Sequence, residues 1–470
     1  MEGLRYLAKN TGLLALGQFG TKLLSFFLVP LYTYVLTTAE YGTYDFMTST
    51  ISLLIPLMTL NICDAALRFP LDKGTDRQQI FAISFRHFLL SIIFGAVSVG
   101  VNKIFNIIDL INQYPIFFFL LFIATGINGI MNCFARGIDC VKDVAASGVI
   151  CSIVIIGLNL LFLLPLHMGL IGFFLANIIG SFVQSIYLFI AIKGWRYLIF
   201  TGIDKKLHHD MLRFSEPLML NNISWWVNGV SNRYVITWLC GVAANGIYAV
   251  SYKIPSILVM LQGIFSQAWT LSAVKDFDKD DKNRFFAKMY ASYNVSMVLA
   301  CSILIMASRI MAKFLYQGEF FEAWKYVPFL LISAIFGALS GYVGGIFAAV
   351  KDTKIFGQTS ILGAVVNLAL TIVLVWKIGV LGAAISALVS NAVIWAIRIR
   401  VVKRYINMKL NLLVDIISYL LLCIQTLILF IWNDNFQFWC VETLLFIVLL
   451  LINKKILKTI LRKITSKIHI

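Results

Sequence analysis

Polar positions along this chain are sparse and clustered, and between the clusters run apolar stretches that keep one character for about 20 residues. Such segments lie at 11–35, 41–63, 80–101, 115–135, 144–166, 169–192, 214–240, 243–270, 285–308, 326–350, 355–376, 379–397, 411–432 and 436–452. A hydrocarbon core about 30 Å thick is crossed by roughly 20 helical residues, and a helix satisfies its own backbone groups where no water is present. The pattern therefore predicts an all-α polytopic membrane protein with 14 transmembrane helices. A transmembrane barrel needs strands of about ten residues that alternate in polarity, whereas 150–166 and 412–432 are almost continuously apolar.

Composition agrees: 60% of the residues are apolar and 13% charged, with a mean hydropathy of +0.88, outside the range of soluble globular domains. The first segment is too long for a signal-peptide core, contains Lys22 and lacks a small-residue cleavage site, so it is expected to remain as a helix.

The formal charge of +17 follows from topology. With the N-terminus inside, only Lys103, Arg309, Lys313, Lys325 and Lys377 of the 39 Lys and Arg fall in outer connections, and Lys22, Arg86, Arg233 and Lys253 fall inside segments. The rest are cytoplasmic, as the positive-inside rule requires, and both termini are predicted on that side. Anionic headgroups attract juxtamembrane cations, so this charge does not imply a nucleic-acid partner. The basic tail after Leu451 reads as a short amphipathic helix on the inner leaflet. Cys63, Cys133, Cys140, Cys151, Cys240, Cys301, Cys423 and Cys440 are scattered without metal or disulfide spacing and are expected to be small packing residues. The five histidines offer no ligand set, and no phosphate-binding loop occurs.

A six-helix unit recurs. Ala39, Gly42 and Tyr44 return as Ala243, Gly246 and Tyr248, Lys142 and Asp143 as Lys351 and Asp352, and Gly169 and Gly172 as Gly379 and Gly382, each at a corresponding place in the topology. The expected division is an N-terminal six-helix bundle over 1–195, a cytoplasmic linker over 196–213, a C-terminal six-helix bundle over 214–405, and helices 13 and 14 with a basic tail over 406–470. An even helix number inserts both halves in one orientation about an axis along the membrane normal, with a central cavity between them.

Ala8-Lys9-Asn10-Thr11 enters the first segment, Leu36-Thr37-Thr38-Ala39-Glu40-Tyr41-Gly42-Thr43-Tyr44 precedes the second, Asp64-Ala65-Ala66-Leu67-Arg68-Phe69 ends it, and a small-residue stretch runs from Gly379 to Ser390. In these the chain resembles, over about its first 400 residues, the polysaccharide-unit flippases of the multidrug, oligosaccharidyl-lipid and polysaccharide exporter superfamily. The resemblance implies two bundles that rock to open a central cavity to alternate sides. It also implies export of a polyprenyl-pyrophosphate-linked glycan across a bacterial cytoplasmic membrane, alongside polysaccharide-assembly proteins. Lipid II flippases of the same superfamily carry an extra helix pair beside a groove for the lipid tail, so helices 13 and 14 form either such a groove or a packing or dimer surface.

An ionised side chain at a helix centre costs about 2.5 to 3.5 kcal/mol on insertion scales and persists mainly where it faces protein or water. Lys22 shares a face with Gln18 and Ser25, and in the seventh segment Asn222, Trp226, Gly229 and Arg233 form one stripe beside Asn221, Ser224, Trp225, Asn228 and Asn232. Asp45 is followed by Thr48, Ser49 and Ser52, and Lys253 lies near Tyr248, Ser251, Tyr252 and Ser256. Lys22, Arg233 and Lys253 suit a pyrophosphate, with Gln18, Asn222 and Trp226 supplying hydrogen bonds and a stacking face for sugar. The competing reading is a set of intramembrane ion pairs, Asp45 with Lys253 or Arg233, that holds the halves together. Asp45 is the deeply placed acid for proton or sodium coupling, and no bound cofactor is expected. Asp64 and Arg68 form either an i,i+4 pair or a gate, and Arg86 is expected to snorkel. Two rival functions are a drug exporter of the same superfamily, which normally has 12 helices, and a multi-span enzyme of polysaccharide assembly, which usually needs a larger outer loop than this chain has.

Overall fold

Continuous apolar runs leave the backbone no water partner, so they close their own hydrogen bonds, and in the computed structural model the chain is helical nearly throughout. Residues 20, 26–72, 74–199, 202–275, 277–282, 284–350, 352–432 and 435–459 are described, and no strand occurs among them. The helices are α1 (Val29–Val35), α2 (Thr38–Met58), α3 (Ile62–Arg68), α4 (Arg77–Phe105), α5 (Asp109–Gln113), α6 (Pro115–Gly137), α7 (Val141–Leu163), α8 (Gly169–Ala191), α9 (Lys205–Cys240), α10 (Val242–Ser251), α11 (Pro255–Lys275), α12 (Phe285–Leu315), α13 (Val327–Ala349), α14 (Thr353–Ile378), α15 (Val380–Val402), α16 (Leu412–Ile431) and α17 (Phe436–Ile452).

Nine helices among the described residues are long and apolar enough to span a membrane, and the bent pairs α2–α3 and α10–α11 bring this to 11. Of the other expected segments, 11–35 lies mostly outside the described residues, 214–240 falls in α9, whose polar stripe lowers its hydropathy, and 436–452 is a 17-residue helix.

Local chemistry sets several boundaries. Thr37 and Glu40 form a reciprocal capping box at α2, which gives the Leu36–Tyr44 motif a physical role. Asp76 caps α4, and Asp352 caps α14 through the Ile355 N–H. The recurring glycines have matching roles in the two halves. Gly169 (φ +52°) and Gly379 (φ +65°) turn the chain into α8 and α15 in a region that L side chains rarely adopt. At Gly172 a Cβ would lie 2.8 Å from Phe162 Cβ, and at Gly382 2.3 Å from the Leu374 carbonyl carbon, so only glycine admits the close approach.

The chain divides into two compact units, Met1–Val230 and Ser231–Ile470, with the division inside α9. The first unit packs around Ile62, Phe81, Met131, Phe134 and Leu188, and around Met47, Phe118, Phe122 and Phe174. The second packs Ile236 and Tyr248 against Leu330, Ala383 and Ala384.

Three expectations are corrected here. Cys63 and Cys133 are not separate packing residues: they form a disulfide joining α3 to α6, with Cα atoms 5.7 Å apart, because the break after α2 swings α3 onto α6. Arg309, expected in an outer connection, lies inside α12 because that helix continues to Leu315. It is 8% exposed and donates to the Trp432 carbonyl at 2.9 Å and to the Leu429 carbonyl at the end of α16. Arg398, expected at a cytoplasmic loop, lies in α15, 2% exposed. It donates to Thr359 Oγ1, Ser360 Oγ and the Ser340 and Phe356 carbonyls, with its guanidinium 4.1 Å from the Phe356 ring centroid. Helices α12 and α15 each run past their apolar stretch, so a charge at the end of a segment becomes a packing residue.

Candidate functional site

Both second spans of the repeat are broken, and the polar residues expected to matter gather at the breaks. In the first unit, α2 and α3 meet at 68°. Pro56 cannot donate to the preceding turn, the chain passes through positive φ at Leu60 and Asn61, and the Asn61 N–H reaches back to the Pro56 carbonyl at 2.9 Å. In the second unit, α10 and α11 meet at 52°, with Pro255 opening α11 and Lys253 between them. Irregular backbone at membrane depth persists where it is buried in protein or lines a watery cavity.

At the first break, Asn61 is 5% exposed and links two groups: it accepts from Asn222 Nδ2 at 3.0 Å and donates through Nδ2 to Asp64 Oδ2 at 2.6 Å. One turn further along α9, Trp226 Nε1 donates to the Ser49 carbonyl at 2.9 Å and to Ser52 Oγ at 3.1 Å. The seventh-segment stripe is therefore held against α2 by polar contacts. Asp45 is half-buried in the same helix. Asp64 and Arg68 do not form the expected pair, because Asp64 is taken by Asn61 while Arg68 bonds Asp72 at 2.6 Å, four residues on. Arg86 is exposed on α4 beside a cavity of about 230 Å³ lined by Leu89, Leu198 and Ile199, in keeping with snorkelling. Lys22 and Gln18 lie outside the described residues.

At the second break, Arg233 and Lys253 are half-buried. The Arg233 guanidinium sits 5.7 Å from the Tyr252 ring centroid, adjacent in sequence to Lys253. Behind Tyr252 runs a buried chain: Tyr252 Oη meets Tyr248 Oη at 3.0 Å, which accepts from Asn232 Nδ2 at 3.2 Å. Asn232 Oδ1 in turn accepts from Asn367 Nδ2 at 2.8 Å and from Thr371 Oγ1 at 3.0 Å. Helices α9, α10 and α14 thus fix the ring over which Arg233 lies, so a cation and a π face are presented together with little rotamer freedom left to lose. Such a group can hold a phosphate oxygen and a sugar face at once. Asn367 and Thr371 were missed from sequence, since both are uncharged and lie in a largely apolar segment; their only signal was sharing a face at i and i+4.

No group of three or more His, Cys, Asp or Glu among the described residues could hold a metal ion. Sequence reading also passed over Glu442, which is 0% exposed on α17 and accepts from Gln425 Nε2 at 2.8 Å.

The profile of the family described as "Polysaccharide biosynthesis protein" matches residues 7–274. Among curated proteins, the multidrug and toxin extrusion protein 1 of Rattus norvegicus is 24% identical over 253 residues, which is 48% of this chain and 42% of that protein. The same protein of Homo sapiens is 24% identical over 248 residues, 48% of this chain and 41% of its own length. The chain thus spans about two fifths of the length of the curated relatives it matches. Among solved structures, the lipid II flippase MurJ in an inward closed conformation shares the fold at a TM-score of 0.67 and 16% identity, covering 96% of this chain and 99% of that one. An inward-facing multidrug resistance transporter of the multidrug, oligosaccharidyl-lipid and polysaccharide exporter superfamily also reaches 0.67 at 14% identity, covering 82% of this chain and 94% of that one. The fold is therefore that of this superfamily.

Proposed function

The chain belongs to the polysaccharide biosynthesis protein family, and from that premise we propose that it is a flippase carrying a polyprenyl-pyrophosphate-linked oligosaccharide unit from the inner to the outer leaflet of a bacterial cytoplasmic membrane. It does so by alternating access, with a proton or sodium gradient as the driving force and no bound cofactor. The observation that carries this reading is the cluster at the α10–α11 break, where Arg233 of α9 lies over the ring of Tyr252, the sequence neighbour of Lys253. Lys22, Arg233 and Lys253 bind the pyrophosphate, while Gln18, Asn222 and Trp226 contact the sugar. Asp45 is the proposed coupling acid.

The match to MurJ over 96% of the chain supports the reading, since the drug transporters overlap less of it. A second reading, export of a drug or another solute, is favoured by the sequence match to the multidrug extrusion proteins. Export assays separate the two. Arg233→Gln and Lys253→Gln are each expected to lower glycan export about tenfold or more at unchanged membrane abundance, as the loss of one charge-assisted contact worth roughly 1.5 to 3 kcal/mol implies. Undiminished export in both variants, or efflux of cationic drugs without glycan export, sinks the flippase reading. For coupling, Asp45→Asn in vesicles is expected to abolish the dependence of transport on the gradient.

A further inference from the structure

The second unit holds a cavity that the transport reading leaves unused. Three helices end at one level there: α12 begins after Arg284, α16 begins after Asn411, and α17 ends before Asn453. Between them lies a pocket of about 470 Å³. Its rim carries Arg284, Lys288, Lys409 and Lys455, and its walls are aliphatic, with Val414 and Ile452 among them. All four cations are exposed. One carboxylate faces the pocket, Asp415, which is 8% exposed and has Oδ1 taken by Asn294 Nδ2 at 2.7 Å. The N–H groups of Phe286 and Ala287 at the start of α12 are already held by Asp281, so an anion entering the pocket meets side-chain cations rather than a bare helix terminus.

Away from the basic rim the same helices turn aliphatic side chains outward. Leu413, Ile416 and Leu420 on α16 and Leu451, Ile447 and Leu444 on α17 are exposed, at helical spacings that make a continuous greasy strip on each. A free phosphate would use only the rim. A diacyl lipid uses both parts: its phosphate sits among four cations at headgroup depth and its chains run down the strips.

We propose that this pocket is a binding site for an anionic phospholipid, held by Arg284, Lys288, Lys409 and Lys455. The bound lipid ties the ends of α12, α16 and α17 together at the headgroup level. The site is independent of what the protein transports, so it stands or falls apart from the flippase reading.

The test uses the purified full chain in detergent, with retained lipid counted by native mass spectrometry. Phosphatidylglycerol is expected to be retained about tenfold more than phosphatidylcholine. Lys409→Gln with Lys455→Gln is expected to lower phosphatidylglycerol retention about tenfold, in line with the loss of two headgroup cations, and Arg284→Gln with Lys288→Gln to do the same. Lys409→Arg with Lys455→Arg keeps the charge and is expected to keep the lipid, which separates loss of the site from loss of the fold. Equal retention of the two lipids, or unchanged retention in both Gln pairs, overturns the proposal. Displacement of the lipid by glycerol 3-phosphate at equal concentration also overturns it, since the pocket would then be a free-phosphate site.

Discussion

The packed histidine pair on the first unit shows how one side chain senses its surroundings. His87 is 8% exposed and donates through Nδ1 to the Ile83 carbonyl at 3.0 Å, which leaves Nε2 to accept from His208 Nε2 at 3.4 Å. A further proton would set two N–H groups face to face. Burial, followed by the charges of Arg86 and His209, holds the His208 imidazole below its ordinary value. His208 precedes the 214–240 segment, so the polar stretch feels the pH of bulk water. Its folded pKa is depressed, so the stability this contact gives is present above the ordinary value near 6.5 and is lost as pH falls through it. Melting of the purified protein is expected a few degrees lower at pH 5.5 than at pH 7.5, with the gap narrowed in His208→Gln; an equal gap in the variant removes His208 as the cause. In sequence, His208 fell within the expected cytoplasmic linker and showed no partner, because His87 lies 121 positions away. Arg233 and Lys253 were legible for the opposite reason, as charges inside apolar runs need no partner to be conspicuous. Arg309 and Arg398 stood at segment ends and looked like loop charges.

At the scale of elements, hydropathy located the helices but not their breaks. The segments 41–63 and 243–270 read as single spans, although Pro56 and Pro255 stand within them, because a proline can kink a helix without ending it and only the surrounding packing decides which happens. The C-terminal pair was expected to form a greasy groove or a packing or dimer surface, and α16 and α17 are fastened to α12 by three polar layers. Asn294 bonds Asp415 and Tyr419, Ser302 Oγ donates to Gln425 Oε1 at 2.8 Å while Gln425 donates to Glu442, and Arg309 donates to the carbonyls at the end of α16. Glu442 is the central link, and its Oε1 has no hydrogen-bond partner among the described residues. Glu442→Gln keeps an acceptor for Gln425 and is expected to hold stability within about 1 kcal/mol. Glu442→Ala strands a buried amide and is expected to cost about 1 to 3 kcal/mol. Thermal unfolding in detergent compares the two, and equal melting of both variants would mean that this layer does not fasten the pair. Gln425 and Glu442 escaped sequence analysis because they lie in largely apolar runs on separate helices, and only the packing of α16 against α17 brings them face to face.

Across the whole molecule, the polar layers make the C-terminal pair a condition of the second unit's stability in lipid. Asn294, Ser302 and Arg309 fall on one stripe of α12, and α16 and α17 cover it. Without that cover the stripe would face acyl chains, where an arginine at mid-helix costs about 2.5 to 3.5 kcal/mol. Arg309 lies less than two turns from the end of α12 at Leu315, so it recovers part of that by snorkelling, but Asn294 and Ser302 carry side chains too short to do so. A chain ending after residue 405 is therefore expected to accumulate in membranes several-fold less than the full chain, even though the drug transporters that share its fold overlap only 82–85% of it. Adding Asn294→Leu, Ser302→Leu and Arg309→Leu to the shortened chain makes the bared stripe apolar and is expected to restore accumulation, read by quantitative blotting of membrane fractions. Full accumulation of the shortened chain without those changes would show that lipid tolerates the stripe. In that case the three polar layers would serve to position α16 and α17 rather than to stabilise the unit that carries them.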